Sequence, residues 1–336
     1  METLYPETAP RETGFLDVGD GHHLYYERFG NPQGKPVIYL HGGPGGGCSF
    51  AEYRMFHPDH FDVLLFDQRG SGKSTPYAAT NANSIESLVG DIEKFRQHLG
   101  VQQWHVCGGS WGSALAMSYA AAHPDRVERM LLRGIFFAEH KGAIHITEAP
   151  HLTADKQTSF YQDYIDLIPE DERLRDGLTN AYAKRLKADD PATALEAARR
   201  FYVWDTAIAT WELKQDWIDD ANKDPQSTLA LSKIWFHFVE NHFKDENRDR
   251  LLQAMSKLTV PVDIIHGADD KICPVQNAYD LNRFCKNSTL LVPTSCGHSQ
   301  AEPALLQGFI EITNRWMVED LKKKIQADPQ PKPILH

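Results

Sequence analysis

The stretch from Trp104 to Ala122 reads Trp-His-Val-Cys-Gly-Gly-Ser-Trp-Gly-Ser-Ala-Leu-Ala-Met-Ser-Tyr-Ala-Ala-Ala. It decides the fold because a short apolar run, a glycine-flanked serine and a run of strong helix formers predict a strand, a tight turn and a helix. In a G-x-S-x-G pattern the serine lies on a strained turn between residues with almost no side chain, so its hydroxyl is exposed above the sheet. Ser110 is therefore the candidate nucleophile, and the dipole of the following helix favours an oxyanion formed at this turn.

A glycine pair beside a serine can also be no more than a flexible turn, and G-x-S-x-G often occurs by chance. In this chain the motif lies between a strand pattern and a helix pattern, which is the context that the motif requires. We therefore favour the nucleophile over the flexible turn.

Alternating strand and helix patterns surround this motif. Residues 83–99 predict an amphipathic helix, at whose start Asn83 and Glu86 resemble a capping box. Strand patterns cover residues 14–29 as a hairpin, then 36–40, 61–66, 104–107 and 130–136. The alternation, with glycine-rich loops at strand ends, predicts an α/β fold with a doubly wound, mostly parallel sheet and function at its carboxyl edge.

The pattern changes near residue 139, and no convincing strand follows until about residue 252. Helical patterns cover residues 156–167, 171–186, 191–204 and 229–243, and strand patterns return at 260–267 and 288–292. We expect a helical cap over the mouth of the active site. The predicted division is 1–138 for the first part of the core, 139–252 for the cap and 253–336 for the second part of the core.

Residues 41–47 form a loop with five glycines, directly after an apolar strand. So many glycines let the backbone approach a ligand and point N–H groups at it. A flexible surface loop is the alternative. Because this loop follows a buried strand and precedes the serine turn, we expect the Gly43 N–H to be one oxyanion donor and the Trp111 N–H to be the other.

Residues 67–74 end in Gly-Ser-Gly-Lys-Ser, which invites comparison with a phosphate-binding loop. The spacing excludes it, because the four residues that separate the glycines of such a loop are missing. We interpret the segment as a structural turn that Asp67 and Arg69 hold with charge-assisted hydrogen bonds.

A serine nucleophile needs a base, and the base needs a carboxylate that orients it. In folds of this kind the chain order is serine, then acid, then histidine. Asp269 and Asp270 compete for the acid after the late strand, and we favour Asp270 because it lies at the far side of the turn. Among 16 histidines, His298 alone combines the order, a strand end and a glycine neighbour.

Six motifs together resemble the proline iminopeptidase family of α/β hydrolases. The resemblance covers most of the chain, from about residue 25 to residue 298. The motifs are His41-Gly-Gly-Pro-Gly-Gly, Asp67-Gln-Arg-Gly-Ser-Gly-Lys-Ser, Gly108-Gly-Ser-Trp-Gly-Ser, Arg133-Gly-Ile-Phe136, His266-Gly-x-x-Asp270 and Cys296-Gly-His-Ser. The resemblance implies an enzyme that removes N-terminal proline from peptides.

The resemblance also implies that two acidic residues of the cap hold the substrate's amino group. The Trp-x-x-Trp-Glu motif of the family corresponds to residues 201–205, so Asp205 stands for a glutamate and Phe201 for a tryptophan. A second motif corresponds to residues 239–243 and carries Glu240. Two carboxylates would select a cationic free amine, although a solvated helix face is the alternative for both. Trp204 and Phe136 are candidates for the apolar walls around a pyrrolidine ring, although packing in the protein core accounts for an aromatic side chain equally well.

The amino-acid composition limits the classes of partner that we expect for this protein. Acidic residues outnumber basic ones by 46 to 35, which gives a net charge of −11 and argues against a nucleic-acid partner. No signal-peptide pattern or membrane-spanning run is visible, and five irregularly spaced cysteines favour free thiols in a reducing, cytoplasmic compartment. We expect no cofactor and no metal, and the sequence does not indicate an oligomeric state.

Three functions fit these patterns. The first is a serine exopeptidase that releases N-terminal proline through an acyl-enzyme. A carboxylesterase or amidase with the same three residues, but no need for a free amine, is the main alternative. A ligand-binding protein that has lost the chemistry is disfavoured by the intact set of Ser110, Asp270 and His298.

Overall fold

The computed structural model describes residues 4–148 and 158–327. The strands are β1 (Glu12–Gly19), β2 (His22–Gly30), β3 (Lys35–Leu40), β4 (Phe61–Phe66), β5 (Trp104–Gly109), β6 (Val127–Arg133), β7 (Val262–Ile265) and β8 (Ser288–Leu291). The α-helices are α1 (Ile85–His98), α2 (Trp111–Ala122), α3 (His140–Thr147), α4 (Thr158–Asp166), α5 (Glu170–Leu186), α6 (Pro191–Ile208), α7 (Gln215–Lys223), α8 (Leu229–Asn241), α9 (Glu246–Lys257), α10 (Gln276–Phe284) and α11 (Pro303–Ala327). Within these ranges no helix is both long enough and apolar enough to cross a bilayer.

The strands form one eight-stranded sheet in the order β1-β2-β4-β3-β5-β6-β7-β8. Strand β2 pairs antiparallel with β1 and β4, and every other neighbouring pair is parallel. The predicted doubly wound, mostly parallel sheet is therefore confirmed. Its parallel strands end at one edge, where the loops after β3, β5, β7 and β8 meet.

Both faces of the sheet are covered. In β3, Ile38 and Leu40 join the hydrophobic cluster that contains α1 and α2, whereas Val37 and Tyr39 join the cluster that contains α11. Continuous apolar strands are typical of parallel sheets that are buried on both sides. This packing fixes the strand ends that carry the candidate site.

Helix α1 begins two residues later than the sequence pattern indicated. The Ser84 side chain caps it by accepting a hydrogen bond from the Ser87 N–H at 3.1 Å. Asn83 instead donates from its side-chain amide to the Arg69 carbonyl at 3.0 Å. The capping-box prediction for Asn83 was therefore wrong, because its buried amide ties the loop after β4 to the helix.

The loop after β4 is a structural turn, as predicted. The Asp67 carboxylate accepts from the backbone N–H groups of Cys48 at 2.7 Å and Lys73 at 2.8 Å. The Arg69 guanidinium donates to both carboxylate oxygens of Asp91 on α1, at 2.6 and 2.8 Å. Fully buried charged pairs of this geometry position a loop firmly.

Helices α3 to α8 lie between β6 and α9 in the chain and pack on one another. Stacked aromatics hold them together, with the rings of Tyr164 and Tyr182 centred 4.4 Å apart. The predicted helix at 156–167 corresponds to α4, and its first two residues lie outside the described residues. The predicted boundary at residue 252 lies inside α9, which packs against α2 of the core.

Candidate active site

Ser110 lies between β5 and α2 with φ 58° and ψ −126°, a conformation that strains any residue with a side chain. Its glycine neighbours are required by close packing. A Cβ on Gly108 would lie 2.3 Å from the Gly112 carbonyl oxygen, and one on Gly112 would lie 2.0 Å from the Leu40 carbonyl oxygen. The serine turn is therefore pressed against the end of β3, as the G-x-S-x-G pattern predicts.

His298 and Asp270 form a buried pair. The His298 Nδ1 lies 2.7 Å from the Asp270 Oδ2, and the other carboxylate oxygen accepts from the N–H groups of Ile272 at 2.9 Å and Cys273 at 2.8 Å. Asp269 instead accepts from the Cys296 N–H at 3.4 Å. The structure thus pairs His298 with Asp270 and not with the alternative acid.

A second histidine, His266, contacts the same carboxylate. Its Nδ1 accepts from the Ile135 N–H at 2.9 Å, so in the neutral ring Nε2 carries the proton. That Nε2 donates to the Cys273 carbonyl at 2.8 Å and lies 3.3 Å from the Asp270 Oδ2. Sequence reasoning missed this support, although the position of His266 directly after β7 was a usable signal.

Burial would raise the pKa of Asp270, but the charge of His298 and the hydrogen bonds from His266 and His298 outweigh it and hold the pKa below its usual range. Burial lowers the pKa of His298, the Asp270 carboxylate opposes that effect, and the Arg133 guanidinium adds to it. The imidazole is consequently neutral near pH 7. In that form it can accept a proton.

One cavity of about 460 Å³ collects most of the candidate residues. Ser110 and His298 both line it, and both flank Gly134: a Cβ there would lie 3.0 Å from the His298 Cε1 and 3.7 Å from the Ser110 N. The predicted residues that line it are Gly43, Ser110, Phe136, Asp205 and His298. Residues distant in the chain therefore converge at the carboxyl edge of the sheet.

The loops of Gly43 and Trp111 are joined by Gln68. The Trp111 indole donates to the Gln68 Oε1 at 2.8 Å, and the Gln68 Nε2 donates to the His41 carbonyl at 3.0 Å. Within the described residues, the backbone N–H groups of Gly43 and Trp111 have no acceptor. These two amides are thus free to bind an anionic oxygen.

Asp205 is the acidic residue that α6 places in the cavity. Burial raises the pKa of its carboxyl to about 7. A cation or hydrogen-bond donor beside this carboxyl group would lower its pKa again. None of the described residues supplies one. A half-buried carboxylate that lines a cavity, without a partner among the described residues, is suited to a cationic ligand.

Two of the predicted substrate-binding residues, Glu240 and Trp204, do not line the cavity. Glu240 forms an ion pair with Lys187 at 2.5 Å on the outside of the cap. Glu240 faces away from the cavity because of its position around α8. Leu231 and Trp235 face the cavity, and Glu240 lies about 140° around the helix from Trp235.

Trp204 is fully buried in the cap, and its indole N–H donates to the Ile146 carbonyl at 3.0 Å. The aromatic residues that line the cavity from the cap are instead Phe201, Tyr202 and Trp235. Core packing therefore explains Trp204, and neither Trp204 nor Glu240 is placed with Asp205 in the cavity.

The fold and the geometry of this site define an α/β hydrolase, and the family model described as the alpha/beta hydrolase fold matches residues 35–303. A solved α/β hydrolase from a Medee basin deep-sea metagenome library has the same fold, with a TM-score of 0.63 at 14% identity over 96% of this chain and 100% of that chain.

Sequence comparison defines the family more closely. A proline iminopeptidase of Xylella fastidiosa is 40% identical over 94% of this chain and 100% of its own length. One of Arabidopsis thaliana is 38% identical over 90% of this chain and 79% of its own length. The chain belongs to the proline iminopeptidase family, which confirms the resemblance of its motifs.

Proposed function

We propose that this protein is a serine exopeptidase that releases N-terminal proline from peptides through an acyl-enzyme. The observation that carries the proposal is the Asp205 carboxylate, which lines the same cavity as Ser110 and His298 and has no partner among the described residues. A nucleophile and a carboxylate in one cavity suit a substrate whose cationic amine is close to its scissile bond. The names of the relatives support the same activity.

In the proposed reaction Ser110 attacks the carbonyl carbon of the N-terminal proline, and His298 accepts the hydroxyl proton. Asp270 holds the imidazole through the 2.7 Å contact and stabilises its cationic form. The N–H groups of Gly43 and Trp111 bind the oxyanion. His298 then protonates the leaving nitrogen, and water attacks the acyl-enzyme by the same route.

Asp205 would select substrates that have a free N-terminal amine. The N-terminal amine of a peptide is cationic near neutral pH, and an ion pair in a cavity shielded from water discriminates strongly against a neutral, blocked terminus. Phe136 and Trp235 line the cavity and offer apolar walls for the pyrrolidine ring. In this chain one carboxylate, rather than two, performs the recognition.

The decisive experiment compares proline 4-nitroanilide with its N-acetyl derivative. We expect the wild type to prefer the free amine and Asp205→Asn to lower kcat/KM for the free substrate about 100-fold, since a charge-assisted contact is lost. Glu240→Gln should change kcat/KM less than about two-fold, since Glu240 pairs with Lys187 outside the cavity. Equal wild-type rates on free and blocked substrates would favour the carboxylesterase or amidase.

The pKa of Asp205 predicts the pH dependence of that preference. The carboxyl must be ionised to pair with the amine, so kcat/KM for the free substrate should rise as the pH passes about 7 and fall again when the amine loses its proton near about 8. Asp205→Asn should lack the rise near 7 and keep only the rise of His298 at lower pH. Profiles from pH 5 to 9 test this, and an identical shape for both proteins would contradict it.

The same carboxyl links stability to pH. Its folded-state pKa is raised, so its contribution is fully present below the unfolded value of about 3.8 and is lost as the pH rises through about 7. Relative to wild type, Asp205→Asn should therefore gain roughly 1–3 kcal/mol of unfolding free energy between pH 5 and pH 8. Urea titrations at the two pH values provide the measurement.

In this proposal the protein has a cap domain and lies in a reducing compartment of the cell. Ile146, Phe201 and Trp235 line the cavity from helices between β6 and α9, which supports a cap domain over the active site. All five cysteines are free thiols, which supports a reducing, cytoplasmic location.

A further inference from the structure

Gln300 lies in the cavity but has no part in the proposed catalytic scheme. It follows His298 by two residues in the loop after β8, and its side chain lines the same cavity as Ser110 and Gly43. The substrate's leaving nitrogen must come close to His298 to receive a proton. A side chain beside His298 is therefore placed on the side of the cavity through which a leaving group departs.

The side-chain amide of Gln300 has no hydrogen-bond partner in the part of the chain that the structure describes. Both its Oε1 and its Nε2 are screened from solvent, and neither forms a hydrogen bond within the described residues. A buried amide normally satisfies both groups, because leaving a donor and an acceptor unpaired is unfavourable. Turning this amide toward a ligand in the cavity would break no hydrogen bond and would satisfy both groups.

The loop that carries Gln300 is firmly held, so the unpaired amide is not the result of a loose backbone. The N–H groups of His298 and Ser299 both donate to the Ala209 carbonyl at 2.9 Å. The Glu302 carboxylate accepts from the N–H groups of Trp211 at 2.5 Å and Gly297 at 3.2 Å. These contacts tie the loop to the chain segment after α6.

We infer that Gln300 is a specificity-determining residue that binds the first peptide bond of the leaving segment, beyond the scissile bond. This inference rests on the proposed function. The carboxamide carries an acceptor and a donor side by side, which complements the N–H and C=O of a peptide unit. The preferred substrate is consequently a peptide of at least three residues with N-terminal proline, rather than a simple proline amide or ester.

The test compares kcat/KM for Pro-Gly-Gly, whose leaving segment contains a peptide bond, with that for proline 4-nitroanilide, whose leaving group contains none. In Gln300→Ala and in Gln300→Leu, which keeps the side-chain volume, the ratio of the two values should fall about ten-fold, the effect of one or two hydrogen bonds. Gln307→Ala is the matched control, because Gln307 bonds to Glu311 on α11. It should keep the wild-type ratio.

Unfolding temperatures separate binding from a structural role. Because the amide makes no hydrogen bond to residues 4–148 or 158–327, both Gln300 variants should unfold at or above the wild-type temperature. An unchanged ratio with wild-type proline release would overturn the inference and leave the proposed function intact. An equal loss on both substrates, or a marked fall in unfolding temperature, would also overturn it. A wild type that releases proline from neither substrate would overturn both proposals.

Discussion

Replacement of Ser110 by alanine should lower kcat for proline 4-nitroanilide by about 10⁵–10⁶-fold, because the hydroxyl that forms the acyl-enzyme is removed. The fold should survive, since alanine fits the same turn. Ser118→Ala in the next turns of α2 removes a hydroxyl that, within the described part of the chain, bonds only to the Ala114 carbonyl, and it should retain activity. Release of proline by Ser110→Ala at even one hundredth of the wild-type rate would exclude the proposed mechanism.

The strain at Ser110 adds a second readout. With φ 58° and ψ −126° the serine occupies a region that glycine adopts at little cost. Ser110→Gly should therefore raise the unfolding free energy by about 1 kcal/mol while abolishing activity. Ser110→Ala keeps a Cβ and should leave the unfolding free energy near the wild-type value. Such a contrast would show that the strained turn, which exposes the hydroxyl, lowers the unfolding free energy of the protein.

Sequence reasoning located the catalytic candidates because each follows the carboxyl end of a strand. Ser110, Asp270 and His298 could be assigned from strand patterns, chain order and neighbouring glycines, and the sheet brings those strand ends together whatever the details of packing. The choice of Asp270 over Asp269 was also open to sequence, because the position in the turn decides which carboxylate can reach His298. Their catalytic roles stay predictions until the variants are measured.

Cap residues were harder to assign, because a helical motif does not reveal which face of its helix meets the cavity. Asp205 and Trp204 are neighbours in α6, yet one lines the cavity and the other is buried in the cap. Glu240 lies in a family-like motif but points away, where Lys187 neutralises it. Only packing fixes the rotation of α6 and α8, and it depends on contacts with several other helices.

Replacement of Asp270 by asparagine should lower kcat/KM for proline 4-nitroanilide by about 10⁴-fold, through the tautomer of His298. The Oδ1 of Asp270 accepts from the N–H groups of Ile272 and Cys273, so the asparagine oxygen will occupy that position. Its NH₂ group then faces the Nδ1 of His298, which must become an acceptor and leave the proton on Nε2. In that tautomer the imidazole cannot accept the proton of Ser110.

The matched control for this variant is Asp269→Asn, because among the described residues the Asp269 carboxylate accepts only from the Cys296 N–H, at 3.4 Å. We expect its kcat/KM to stay within about two-fold of the wild-type value, as is usual where a charged group takes no part in the reaction. The charge of Asp270 raises the pKa of His298, so in Asp270→Asn the residual activity should depend on a pKa lower than that of the wild type. A loss in Asp269→Asn that matches the loss in Asp270→Asn would instead show that the adjacent carboxylate orients the imidazole in solution.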